Sequence, residues 1–418
     1  MKGENKMYFY KLNGNTLFSL HNHEGLSAIT EQEASRDNDV IYFLKKLDPQ
    51  KSRRSFALTH PSLIYTDLEG LNLLCLNTNK SYDLPQWLLE KIQLSQVIAI
   101  NTSYTDWQQV LTQRYPSKWR INIVGIGDVG STLLMGLRLL GEENIKEIGI
   151  YDRDINKLKR WEFEVNQINN IGVNLPPVKI LKEEEVFDCD LFAFCVTARV
   201  PAIGEENVDV RMVQLEENSK IINIYGKMAR EAKYRGIFAV VSDPVDLLCK
   251  SVYISSNQDS SGNFNYKGLY PEQVRGYGLG VMNARAMYYA NKSDTTKHFL
   301  NEGRVFGPHG ADLVVANSIK NYNEKLSMDL TEKTCTANLE LRKIGFKPYI
   351  APALSSGALS LIATITGQWH YSATYMGGVY MGSKNRLTSL GTELEMLELP
   401  DPLFARLEKT YNKLREML

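Results

Sequence analysis

The segment Gly125-Ile126-Gly127-Asp128-Val129-Gly130 carries glycine at its first, third and sixth positions. Ahead of it, Arg120–Val124 reads as a strand; behind it, Asp128–Leu140 has the spacing of a helix. Strand, glycine turn and helix in that order suit the pyrophosphate of a dinucleotide. The first glycine permits a tight turn, the second lets the backbone approach the phosphates, and the third lets helix and strand pack closely. The helix N-terminus adds unpaired N–H groups and the positive end of its dipole. Alone the glycine spacing is a weak signal; its flanking elements give it weight. A second strand-like run, Glu147–Tyr151, leads to Asp152, 22 residues beyond Gly130. A carboxylate at about that offset takes hydrogen bonds from the ribose hydroxyls and repels a 2′-phosphate. NAD is therefore the expected cofactor and NADP the less favoured one, with Arg153 softening the preference. His21-Asn22-His23 could begin a metal site, but no third ligand stands nearby, and no metal is expected.

These residues need elements to position them. From Trp119 the chain alternates between strand-like runs and helical patterns, the signature of a parallel sheet wrapped by helices. The runs are Arg120–Val124, Glu147–Tyr151, Val178–Leu181, Leu191–Val196, Ile221–Ile224 and Phe238–Val241; helical patterns cover Asp128–Leu140, Asp154–Gln167 and Val208–Glu217. The expected fold class is α/β. Residues 1–118 form a small α/β accessory domain, 119–250 a Rossmann-type dinucleotide-binding domain, and 251–418 an α+β substrate and catalytic domain. In the first, Leu71–Leu76 and Gln96–Ile100 read as strands and Leu84–Leu94 as a helix. Ser255–Gly268 reads as an exposed loop or hairpin, and Asp401–Leu418 as a helix.

Lys plus Arg and Asp plus Glu both total 48, so no basic excess favours nucleic acid or an anionic membrane as partner. Residues 348–383 contain no charged side chain, but Pro352, several Gly and Ser, Gln368 and His370 interrupt them. A spanning helix needs about 20 mainly apolar residues, so this stretch reads as a buried helix followed by strands. The five cysteines form no CxxC pair, and the first residues have no apolar leader; both fit a cytoplasmic protein with reduced thiols.

Four further segments resemble the lactate/malate dehydrogenase family, in matching order over roughly residues 119–418. Cys195-Val196-Thr197-Ala198-Arg199-Val200-Pro201 resembles its strand and turn over the cofactor. Val241-Ser242-Asp243-Pro244-Val245-Asp246 resembles its motif beside the nicotinamide. Gly276-Tyr277-Gly278-Leu279-Gly280 with Asn283-Ala284-Arg285 resembles the start of its substrate-binding helix, and Gly307-Pro308-His309-Gly310 its catalytic histidine loop. The resemblance implies that His309 exchanges a proton with the substrate oxygen, a task suited to an imidazole that titrates near neutrality. It implies that Arg285 holds the substrate carboxylate through paired hydrogen bonds. Thr197 and Ala198 would join Gly125, Gly127, Asp128, Val129, Gly130 and Asp152 around the cofactor. A small carboxylic acid substrate and a homo-oligomer are also implied.

The departures from that pattern are specific. Met282 stands where the family has the aspartate that orients the histidine, three residues before the arginine. Asn283 or Asp312 could substitute. Asp243 replaces an asparagine and would face the substrate; Arg199 replaces a glycine. The covering loop runs Pro201-Ala202-Ile203-Gly204-Glu205-Glu206 without the usual arginine, and Arg211 is the nearest candidate for a second one. These changes point away from ordinary lactate or malate, towards a larger and less anionic, even cationic, substrate. Two other readings stand beside this one: an NAD-binding sensor or scaffold with impaired catalysis, and a dehydrogenase whose proton takes a route that bypasses His309.

Overall fold

The computed structural model describes residues 6–78, 80–198 and 210–417, with the side chains of 210–213 left out. The chain divides into two compact units. One comprises residues 1–115, 376–378 and 386–398; the other comprises 116–375, 379–385 and 399–418.

In the smaller unit, β1 (Tyr8–Leu12), β2 (Asn15–Ser19), β3 (Ser27–Ile29), β4 (Ile41–Lys45), β5 (Ser55–Ala57) and β6 (Val97–Asn101) form one sheet in the order β3-β1-β2-β4-β6-β5. Helices α1 (Glu31–Ser35) and α2 (Gln86–Gln93) accompany it. Strand β4 is Ile-Tyr-Phe-Leu-Lys, buried along its whole length and parallel to both neighbours. Such an unbroken apolar run is what a strand covered on both faces requires. Leu71–Leu76, expected to be a strand, instead opens with a 3-10 turn at Leu71–Leu74 that buries Leu71, Leu73 and Leu74. A run this short carries no period by which strand and turn could be told apart.

The larger unit is built on β7 (Trp119–Val124), β8 (Ile145–Tyr151), β9 (Val178–Ile180), β10 (Leu191–Phe194), β11 (Ile237–Val240) and β12 (Val274–Gly276). These are parallel and lie in the order β12-β11-β10-β7-β8-β9. The first two crossovers run outward on one side of β7 and the next three on the other, so the order reverses between β7 and β10. Strands β7, β10 and β11 are almost wholly buried. The intervening helices are α3 (Asp128–Leu140), α4 (Ile155–Asn166), α5 (Val210–Glu231) and α6 (Val245–Asn257). Beyond them come α7 (Leu279–Ala290), α8 (Phe299–Glu302), β13 (Arg304–Phe306), β14 (Val314–Ala316), α9 (Glu324–Lys343), α10 (Leu359–Ile365), β15 (His370–Met376) and β16 (Val379–Thr388). After β17 (Gly391–Leu394), in the smaller unit, the chain ends in α11 (Asp401–Glu416). Among the described residues no helix is long and apolar enough to cross a membrane.

Ile221–Ile224 is not a strand; it lies inside α5. Among the described side chains the buried positions of that helix are Leu215, Asn218, Ile222, Gly226 and Ala229, spaced by three, four, four and three, while Ile224 is exposed. A strand would have buried alternate residues. Four consecutive positions, three of them isoleucine, hid the longer helical period.

The uncharged stretch folds as a wide helical turn at Pro352–Ala358, then α10, then β15 and β16. At its centre the His370 ring is buried. Its Nε2 meets the hydroxyls of Thr364 (2.9 Å) and Ser372 (3.1 Å), and its Nδ1 meets the carbonyl of Gln368 (3.0 Å). Thr364 also bonds the hydroxyl of Tyr277 at 2.9 Å. Burial, helped by nearby Arg275, pulls the His370 pKa down from 6.5 to about 3. The unfolded chain therefore binds a proton that the folded chain refuses between those pH values. This contribution to stability is complete above pH 6.5 and is lost as pH falls, at up to about 1.4 kcal/mol per pH unit. Urea unfolding at pH 7, 6 and 5 should show stability falling more steeply for the native sequence than for His370→Asn. Equal slopes would show that the ring is not buried neutral.

Candidate active site

The parallel strands bring their C-terminal ends to one edge, and the order reversal between β7 and β10 opens a crevice there, the place where open α/β sheets bind ligands. A cavity of about 1270 Å³ occupies it. Gly125, Gly127, Asp128, Val129, Asp152, Thr197, Ala198, Asp243, Arg285 and His309 all line this one cavity. Gly130 lies beneath the turn.

The glycines differ in what requires them. Gly125 has φ +91°, and a Cβ there would stand 2.8 Å from the Val196 amide nitrogen. A Cβ at Gly130 would fall 2.0 Å from the Gly125 carbonyl oxygen. Gly127 has an ordinary φ of −86° and nothing within 4 Å of where its Cβ would be. No protein atom excludes a side chain at that position; the open space beside it, at the start of α3, fits a phosphate. Asp152 closes the other end. Its Oδ2 accepts from the Ile126 N–H (2.9 Å) and its Oδ1 from the Asp154 N–H (3.1 Å), with Lys157 Nζ at 3.4 Å. The donor and acceptor set fits a dinucleotide. Lys157 offsets part of the charge of that carboxylate.

Asn218 on α5, 1 % exposed, ties the two turns of the crevice together. Its Oδ1 accepts from the Ala198 N–H (2.8 Å), and its Nδ2 donates to the Asp243 carbonyl (2.7 Å). The Ser242 hydroxyl adds a bond to the Val196 carbonyl at 2.7 Å. Asn218 escaped the sequence reading because the helix that carries it was read as stopping at Glu217. So did Ile221 and Tyr225, which line the cavity from the same helix.

His309 is held on three sides. Gly278, just before α7, has no room for a side chain, since its Cβ would lie 2.8 Å from His309 Cβ. The His309 N–H donates to Asp246 Oδ2 (3.1 Å), a buried carboxylate in the first turn of α6. Nδ1 lies 2.7 Å from Asp243 Oδ1. The carboxylate missing at Met282 is thus supplied from a different element, the turn after β11. Neither proposed substitute takes that role: Asp312 pairs with Lys413 at 2.8 Å, and Asn283 points to the Met287 sulfur. Asp243, expected to face the substrate, has its charge directed at the imidazole.

Arg285, on α7, is largely buried. Burial lowers its pKa, and Asp243 is the leading charge opposing that shift. Among the described residues its only hydrogen-bonding contact is a long one, Nη1 to Met282 Sδ at 3.5 Å. A desolvated guanidinium so poorly matched favours an incoming anion. Arg199, Glu205 and Glu206 lie outside the described residues, and Arg211 lies in α5 with its side chain outside them.

The strand order and the cavity at its reversal are those of a doubly wound α/β fold. More narrowly, that fold is the one shared by lactate and malate dehydrogenases, and these are the chain's homologues and structural neighbours. L-lactate dehydrogenase 2 of Staphylococcus aureus (strain JH9) is 26% identical over 192 residues, 46% of this chain and 54% of that protein. The chain thus spans about half the length of the curated relatives it matches. A lactate dehydrogenase from a Medee basin deep-sea metagenome library superposes with a TM-score of 0.59 at 19% identity, covering 72% of this chain and 98% of that one. The malate dehydrogenase from Picrophilus torridus superposes with a TM-score of 0.55 at 16% identity, covering 73% and 96%. No family model matches the chain.

The glycines permit a two-sided test. Gly127→Val should fold normally, melting near the parent temperature, yet lose at least ten-fold in NADH affinity by calorimetry. Gly130→Val should fail to fold or melt far lower. Undiminished NADH affinity in Gly127→Val would remove the pyrophosphate from this turn.

Proposed function

We propose that the chain is an NAD-dependent dehydrogenase acting at C2 of a 2-hydroxy or 2-oxo carboxylic acid larger than lactate. Residues 119–250 hold the cofactor, and residues 251–418 supply most of the groups that meet the substrate. The observation that carries this reading is the 2.7 Å contact between His309 Nδ1 and Asp243 Oδ1, on the same cavity as the glycine turn and Arg285.

NAD, when bound, supplies or takes up the hydride at C2. Arg285 binds the substrate carboxylate and so fixes C2 in the cavity. In reduction, the imidazolium of His309 gives a proton from Nε2 to the carbonyl oxygen; in oxidation the neutral ring removes it from the hydroxyl. Asp243 accepts from the Nδ1–H, which sets the tautomer that leaves Nε2 for substrate and balances the positive charge on the ring. Asp246 fixes the backbone of the same loop. An orienting carboxylate therefore exists without residue 282, which weakens the reading of a catalytically impaired sensor.

The relocation can be tested by moving the carboxylate back. Gly278 abuts His309, and residue 282 follows one helical turn later on the same face of α7. Asp243→Asn should lower kcat/KM for oxo-acid reduction, followed by NADH absorbance, by about 10²–10⁴-fold, the usual contribution of a positioned acid or base. Met282→Asp in that background should recover part of the loss. NADH binding with no turnover of any 2-oxo acid would favour the sensor reading. Full activity in His309→Gln would favour another proton route.

A further inference from the structure

One wall of the cavity is the C-terminal half of α9. Two contacts flank it. The Cys335 thiol donates to the carbonyl of Gly310, next to the catalytic imidazole, at 3.2 Å. Beyond the helix, Lys347 Nζ stands 3.5 Å from Asp128 Oδ2 at the glycine turn. Between these points Asn338, Leu339 and Arg342 face the cavity. Positions 335, 338, 339 and 342 share one helical face, and Arg342 lies two turns past Cys335, about 10 Å along the axis.

Arg342 differs from the other cations of this segment. Lys333 pairs with Asp329 at 2.7 Å, Lys343 with Glu340 at 2.7 Å, and Lys347 with Asp128. Arg342, only partly exposed, makes no side-chain hydrogen bond or ion pair among the described residues. Nor does its own helical face offer a partner. The positions three and four residues back are Leu339 and Asn338, neither of them charged, and the helix ends at Lys343. Arg342 lines the same cavity as Arg285. That cavity, about 1270 Å³, runs from the glycine turn to His309 and so serves cofactor and substrate together.

We propose that Arg342 is a specificity-determining residue that binds a second acidic group, carboxylate or phosphate, at the far end of the substrate. This rests on the reading of Arg285 and His309 given above. The substrate is then a 2-oxo or 2-hydroxy acid with an anion at each end. The charge preference is opposite to the cationic one that Asp243, Glu205 and Glu206 suggested in the sequence; of those three, Asp243 is directed at His309. The second anion is held from α9, a rigid element, by paired hydrogen bonds of the kind guanidinium makes with carboxylate or phosphate.

The test compares 2-oxo acids of matched length: 2-oxovalerate against 2-oxoglutarate, 2-oxohexanoate against 2-oxoadipate, and a terminally phosphorylated 2-oxo acid as a third arm. The native protein should favour at least one acid-terminated compound by ten-fold or more in kcat/KM. Arg342→Ala should abolish that preference with the uncharged compounds unchanged, and Arg342→Lys should restore part of it. The arm that loses most in Arg342→Ala identifies carboxylate or phosphate. A second readout does not require turnover: in the presence of NADH, glutarate, adipate or a phosphorylated carboxylic acid should raise the melting temperature of the native protein more than butyrate does. That extra shift should vanish in Arg342→Ala, while Arg285→Ala loses the butyrate shift as well. Equal preference for uncharged and acid-terminated compounds, or equal losses for both in Arg342→Ala, overturns the proposal. Anion-dependent melting shifts without turnover would uphold Arg342 and overturn the reading of His309.

Discussion

An imidazole can pass a proton to a substrate oxygen only if one of its nitrogens is held and the other is presented, and in this chain that constraint falls on the 2.7 Å contact between Asp243 and His309. Asp243 sits in the turn after a buried parallel strand, and His309 in the loop leading from β13 to β14. Because these come from opposite halves of the larger unit, the pair forms only when sheet, helix α6 and the His309 loop are all in place. Asn218, Asp246 and Gly278 each serve that contact. One fixes the turn through the Asp243 carbonyl, one fixes the His309 backbone, and one leaves room for the ring.

The same sheet gives the cofactor and the substrate a common crevice. The reversal of strand order between β7 and β10 places the start of α3 and the 195–198 turn on opposite lips. The turn after β11 then carries its carboxylate to the same edge. Helix α7 brings Arg285 in from the other side, its charge partly desolvated, and α9 closes the wall.

Much of this was legible in the residues. The glycine turn, Asp152 and the strands alternating with helices declared themselves because their signals are local: fixed spacing, fixed order, unbroken apolar runs for buried strands and a period of 3.6 for helices. Arg285 and His309 stood out only through the resemblance of their segments. Asp243 was read as facing the substrate; it lines the cavity and also lies 2.7 Å from His309, a contact the sequence did not mark. The sequence places Asp243 and His309 66 residues apart, and no spacing rule says that a carboxylate lost at 282 reappears across the cavity. Asn218, Ile221, Tyr225 and Arg342 were missed for a similar reason. A short isoleucine-rich run masked the length of α5, and nothing local marks which face of α9 meets a cavity formed by distant strands.

The most direct measurement is the nitrogen-15 spectrum of histidine-labelled protein near pH 8 with NADH bound, with the His309 signals assigned by their loss in His309→Gln. A ring protonated on Nδ1, with a proton shift characteristic of a strong hydrogen bond to carboxylate, is the predicted result. A ring protonated on Nε2, or one exchanging freely between the two forms, would contradict the account.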